Sequence, residues 1–154
     1  MNNILVRSFK NKAHIHYTEL RDIMEDRFCT YKRVGYFKER MAENLGVKFT
    51  GTIYASPGVL KHIKKRHGKQ LSKKIVGNLI EYMRNIIEDP DYIGVYKLTE
   101  KGIHIELIKK AETNILIGID IDSKRDYIYV STMYPISEGK INNRLYRGKL
   151  IKWK

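Results

Sequence analysis

The sequence predicts an α+β domain, with N-terminal helices packed on a four-stranded antiparallel meander sheet. Apolar residues recur at helical spacing as far as Asp89. From Tyr92 to Met133 the period switches to two, in four short segments. The links between those segments are short and polar, as suits neighbouring strands that reverse direction.

In chain order, residues 4–9 read as a strand, and 17–28 and 36–45 as helices, the second stopped by Gly46. Residues 52–56 read as a short strand. Ser56-Pro57 then opens a helix, with Ser56 as N-cap and proline at the first helical position. That helix runs to His67, where Gly68 is expected to give a left-handed end. Ser72 caps a single longer helix carrying Ile75, Leu79, Tyr82, Met83, Ile86 and Ile87, and Asp89-Pro90-Asp91 ends it. The strands follow at 92–98, 103–108, 114–121 and 127–133.

Size and charge narrow the function. A chain of 154 residues suits one core. No apolar run reaches the roughly 18 residues of a spanning helix, and residues 1–12 lack the apolar stretch of a signal peptide. Cys29 is the only cysteine, so a cysteine zinc site is excluded and a reducing, cytoplasmic compartment is the simpler expectation. Thirty Lys and Arg against seventeen Asp and Glu leave a net charge of +13. A surplus of that size favours a polyanion, and RNA or DNA first, because backbone phosphates attract cations whatever the base sequence. A solvated basic surface without a partner is the plain alternative.

The helix Pro57–His67 holds the richest chemistry. Val59, Leu60 and Ile63 form its apolar stripe, and His67 falls on that stripe one turn after Ile63. His62 and Arg66 flank it, while Lys61, Lys64 and Lys65 point to solvent. Histidine exchanges protons near pH 7. Cleavage of RNA by its own 2′-hydroxyl needs one group to take a proton, another to give one, and cations for the charged phosphorane. No metal or other cofactor is expected. In the last strand, strict alternation places Thr132 and Tyr134 on one face with Ile128 and Val130, and Ser131 on the other. If that face meets the helices, Thr132 and Tyr134 line the same cleft as His67. Each of these residues also has an ordinary reading, as a packed histidine or a strand-forming hydroxyl residue. Lys65, Lys109, Lys110, Lys140, Arg144 and Arg147 are candidates for gripping the RNA backbone. His14 and His16 share a strand face but have no further ligands nearby, so no metal site is assigned. There is no Gly-rich nucleotide loop and no convincing helix-turn-helix pair.

Three motifs, in order, carry a resemblance. The stretch Tyr54-Ala-Ser-Pro-Gly-Val-Leu-Lys-His-Ile-Lys-Lys-Arg-His67 is similar to the opening helix of phage-associated nucleases of the BECR superfamily (barnase, EndoU, colicin and RelE-like). Ile86-Ile-Glu-Asp-Pro-Asp-Tyr-Ile93 resembles their junction between helix and first strand, and Val130-Ser-Thr-Met-Tyr134 their terminal strand. The resemblance implies a BECR-like nuclease domain over 52–154. Residues 1–51 have no counterpart in it and are expected to form a mostly helical extension, either a partner-binding or delivery element or simply extra helices on the core. It implies a metal-independent endoribonuclease, a toxin or phage effector acting on RNA, with tRNA a candidate substrate. A cognate antitoxin or immunity protein is a candidate partner. Carried over by position, it nominates His62, Arg66, His67, Ser131, Thr132 and Tyr134 for catalysis. The competing expectation is a non-catalytic nucleic-acid-binding or host-inhibitor protein on the same fold.

Overall fold

The computed structural model describes residues 31–153. The expected strand at 4–9, the helix at 17–28 and the His14/His16 pair lie outside the described residues. Among the described residues the fold is α+β, with five helices and one seven-stranded sheet. Its elements are β1 (Lys32–Phe37), α1 (Glu39–Leu45), β2 (Gly51–Ala55), α2 (Pro57–His67), α3 (Lys73–Val76), α4 (Leu79–Glu88), β3 (Tyr92–Thr99), β4 (Gly102–Lys109), β5 (Ile115–Asp122), β6 (Tyr127–Pro135), α5 (Glu138–Tyr146) and β7 (Ile151–Lys152).

The strand order is β1-β2-β6-β5-β4-β3-β7. The four strands β3 to β6 pair antiparallel in succession, but the sheet is seven-stranded, not four. It is extended by β2 running parallel beside β6, by β1 antiparallel to β2, and by β7 on β3. The helix expected over 36–45 is therefore shorter. Its first residues belong to β1, and helix begins only at Glu39. Val34, Phe37 and Met41 are buried in the main core, so the sheet and core reach back to β1, ahead of the boundary expected at 51.

Two further helix expectations are corrected. Gly68 is right-handed, with φ −59°, and a side chain there would meet the Lys64 carbonyl oxygen at 2.3 Å. Glycine serves close approach at this helix end, not a left-handed turn. The single helix expected after Ser72 is two. Ser72 caps the four-residue α3, and the chain breaks at Gly77 and Asn78, where Asn78 takes up a non-helical conformation. The break re-aims α4 so that Leu79, Met83, Ile86 and Ile87 all reach the core.

The sheet has two differently used faces. On one, Ile105, Leu107, Ile117, Ile119, Ile128, Val130 and Met133 pack beneath α1 to α4 as the main core. Each such buried aliphatic side chain contributes about 1.5–3 kcal/mol. On the other, Tyr92, Ile108 and Leu116 form a smaller cluster under Ile141 of α5. That helix covers one end of this second face.

Candidate active site

Strand register writes the second face as three rows across the sheet. The first is Tyr92–Ile108–Leu116–Tyr134, the second Gly94–Glu106–Gly118–Thr132, and the third Lys97–His104–Asp120–Tyr129. The first row is apolar and lies with α5 in the smaller cluster. The other two carry the polar groups.

Two irregularities produce this arrangement. The pairing of β5 with β6 slips between Gly118 and Ile119, which leaves Ser131 without an opposite residue. A bulge of that kind flips the alternation. Thr132 and Tyr134 therefore do not share a face with Ile128 and Val130, as strict alternation requires. They sit on the opposite face, with Tyr129, while Ser131 donates to the Gly118 carbonyl at 3.2 Å. A second slip, between Val95 and Lys97 of β3, leaves Tyr96 as the extra residue.

Helix α2 still reaches this face. Its side chains Val59 and Ile63 are anchored in the main core, and it packs on β6. Strand β2 pairs with β6 only at Ile128 and Tyr129, so the later part of β6 is open to the helix. The half-buried His67 ring lies 5.3 Å from that of Tyr134, and His62 lies 6.5 Å from His67. His67 Nδ1 is 3.2 Å from Gln70 Oε1.

Beyond Tyr134 further polar groups lie across the sheet. Burial, helped by the nearby Glu106 carboxylate and opposed by Arg144, pushes the Tyr134 phenol above its ordinary range and keeps it protonated. Glu106 is only 2% exposed. It accepts from Arg144 Nε at 2.8 Å and from a terminal nitrogen of the same guanidinium at 3.3 Å. That bonding raises the Arg144 pKa further. The guanidinium also sits 5.2 Å from the Tyr96 ring centre, and Tyr96 meets His104 edge-on at 6.0 Å. His104 Nδ1 is hydrogen-bonded to Asp120, and Tyr129 shares the same carboxylate. Gly118 is the floor: a methyl group there would meet His104 Cε1 at 2.8 Å and Thr132 Cγ2 at 2.9 Å. Its bareness is what lets the imidazole and the threonine lie over the strand.

The structure thus brings His62, His67, Tyr134 and Thr132 towards one polar face and makes Ser131 a bulge residue behind it. Arg66 is exposed on α2, as is Lys65. Lys140 and Arg147 are exposed on and after α5. Lys109 is held by Asp89 at 2.9 Å and Lys110 by Glu138 at 2.8 Å, so both charges are already matched. Arg144 is not a surface cation but the partner of a buried carboxylate. Sequence reasoning passed over Tyr96, His104, Glu106 and Asp120. A signal was present: His104 and Glu106 interrupt an isoleucine-rich strand at period two, and Asp120 does the same in the next. Among the described residues, no three His, Cys, Asp or Glu side chains gather as a metal-binding group, and no helix is long and apolar enough to cross a membrane.

A comparison with protein families matches residues 32–143 to the family described as phage-Barnase-EndoU-ColicinE5/D-RelE like nuclease3. Neither the curated proteins nor the solved structures compared with the chain gave a match.

Proposed function

The chain belongs to this phage-associated nuclease family, and from that premise we propose that it is a metal-independent endoribonuclease whose active site is the polar half of the second sheet face. The support is the set of polar groups on that face: His67 against Tyr134, the Arg144–Glu106 pair, and Tyr96 between Arg144 and His104. It offers a proton acceptor, a proton donor and a cation on one surface, which is what 2′-hydroxyl attack requires.

In this reading His104 is the base. Asp120 holds its Nδ1 as the N–H side, which leaves Nε2 with a lone pair to take the 2′-hydroxyl proton. The 2′-oxygen attacks phosphorus, the bond from phosphorus to the 5′-oxygen breaks, and protonated His67 gives its proton to the departing oxygen. The products are a 2′,3′-cyclic phosphate and a free 5′-hydroxyl. Arg144 spends two of its five N–H donors on Glu106 and keeps the rest for phosphate oxygens. The protonated Tyr134 hydroxyl adds a neutral donor beside them. Thr132 lines the floor. Lys65, Lys140, Arg147 and the overall charge attract the RNA strand.

The test is cleavage of RNA by purified protein in the presence of a chelator, with the new ends identified. A 2′,3′-cyclic phosphate end is the expected result. Activity that needs a divalent cation, or binding of RNA without any cutting, would overturn the proposal. The second outcome would favour a non-catalytic binder on the same fold.

A further inference from the structure

The third row of the polar face leads into a hollow of about 280 Å³ lined by Lys97, Lys101, His104, Asp120, Asp122 and Tyr129. It lies just below the range of ordinary ligand sites, about 300–1,000 Å³, so it suits one small flat group and not a helix. Two ammonium groups are matched there by two carboxylates, which makes it a poor seat for a bare phosphate. A group with its own N–H donors, carbonyl acceptors and a π face fits better.

The occupancy of each lining group points the same way. Asp120 is engaged by His104 and Tyr129. Asp122 uses Oδ1 for the backbone N–H groups of Lys124 and Arg125, at 3.2 and 3.1 Å. Among the described residues its Oδ2 has only the Arg125 guanidinium, at 4.0 Å, so it retains capacity for another donor. Lys97 and Lys101 take part in no ion pair among the described residues, unlike Lys109 and Lys110. The Tyr129 ring is held upright by stacking on Tyr127, at 5.2 Å, which in turn stacks on Tyr54 at 6.1 Å. Such a fixed aromatic is a platform for a base.

We propose that this hollow receives one nucleobase beside the scissile phosphate, swung out of any helix, so that the enzyme acts on unpaired RNA. This rests on the nuclease reading above, because His104 and Asp120 belong to both the hollow and the proposed catalytic row. A base in A-form duplex RNA presents neither its Watson–Crick edge nor its π face to such a site.

The experiment uses a short single-stranded RNA with one preferred cut, remade with an abasic ribose on the 5′ or the 3′ side of that cut. At least one abasic RNA is expected to lose about tenfold to a hundredfold in kcat/KM, the range set by one stacked base. Lys97→Ala leaves the core untouched, and should slow the intact RNA but not that abasic RNA. Equal cutting of intact and abasic RNA, or an equal effect of Lys97→Ala on both, would overturn the base subsite while leaving the nuclease standing. Failure to cut even the intact RNA would remove the nuclease reading itself.

Discussion

Glu106 lies in the middle of the sheet with 2% of its surface exposed, and Arg144 of α5 reaches it with two nitrogens, the nearer at 2.8 Å. The pair joins a strand to a helix 38 residues further on. It is also the only route by which the covering helix touches the polar rows through an ion pair among the described residues.

Arg144→Ala leaves a carboxylate in the sheet with no cation. Breaking one side of a buried pair costs about 3–5 kcal/mol. The urea midpoint should fall accordingly with the slope unchanged. Glu106→Gln, which keeps the shape and removes the charge, should recover stability in the Arg144→Ala background. If Arg144→Ala unfolds at the wild-type midpoint, the pair is not what fastens α5.

Gly118→Ala tests the floor of the site. The added methyl falls 2.8 Å from His104 Cε1 and 2.9 Å from Thr132 Cγ2, so both side chains must move. Overpacking of this kind costs about 1–3 kcal/mol. The proposed base would be displaced, and RNA cleavage should drop about a hundredfold, on the scale of a lost general base. Calorimetry and a cleavage assay on the same sample separate the two effects. Wild-type activity would show that His104 is not needed where the structure puts it.

The strands were the most legible part of the sequence, and the bulges the least. Segments β3 to β6 show a period of two because each buries one face under helices, but bulges break it in β3 and β6. β1 did not stand out: its buried residues Val34 and Phe37 are three apart, since the pairing slips between Arg33 and Gly35. The same kind of slip at Ser131 moved Thr132 and Tyr134 to the face opposite Val130. Alternation cannot show where an extra residue is inserted. The position of His67 beside β6 was legible from its place on the helical stripe. The partners of Tyr134 were not, because Arg144 meets Glu106 only through the closed sheet and the return of α5.

The two proposed proton carriers should fail differently. His104→Ala and His67→Ala each remove a group expected to contribute about 10²–10⁴-fold. Asp120→Asn retains the imidazole but no longer favours its Nδ1–H form, so kcat should fall while KM changes little. Its pH–rate profile should shift on the limb that reports the base, whereas His67→Ala should alter the opposite limb. Profiles of unchanged shape in all three variants would remove acid–base roles from both imidazoles.

Alkaline stability offers a test that is independent of activity. Burial pushes the phenols of Tyr127, Tyr129 and Tyr134 above their ordinary range, most strongly for Tyr127. In the unfolded chain these groups lose their protons near pH 10, whereas in the folded protein they hold them to higher pH. Above about pH 10 the unfolded state therefore binds fewer protons than the folded one, and stability declines as pH rises. Their contribution is whole below that value and is lost as pH climbs through the raised folded pKa values. Urea unfolding at pH 8 and at several steps above 10 should show this decline. Tyr127→Phe, which keeps the ring stacked between Tyr54 and Tyr129 and has no proton to lose, should flatten it. A decline just as steep in Tyr127→Phe would mean that the ring stack does not hold its phenol in the protonated form.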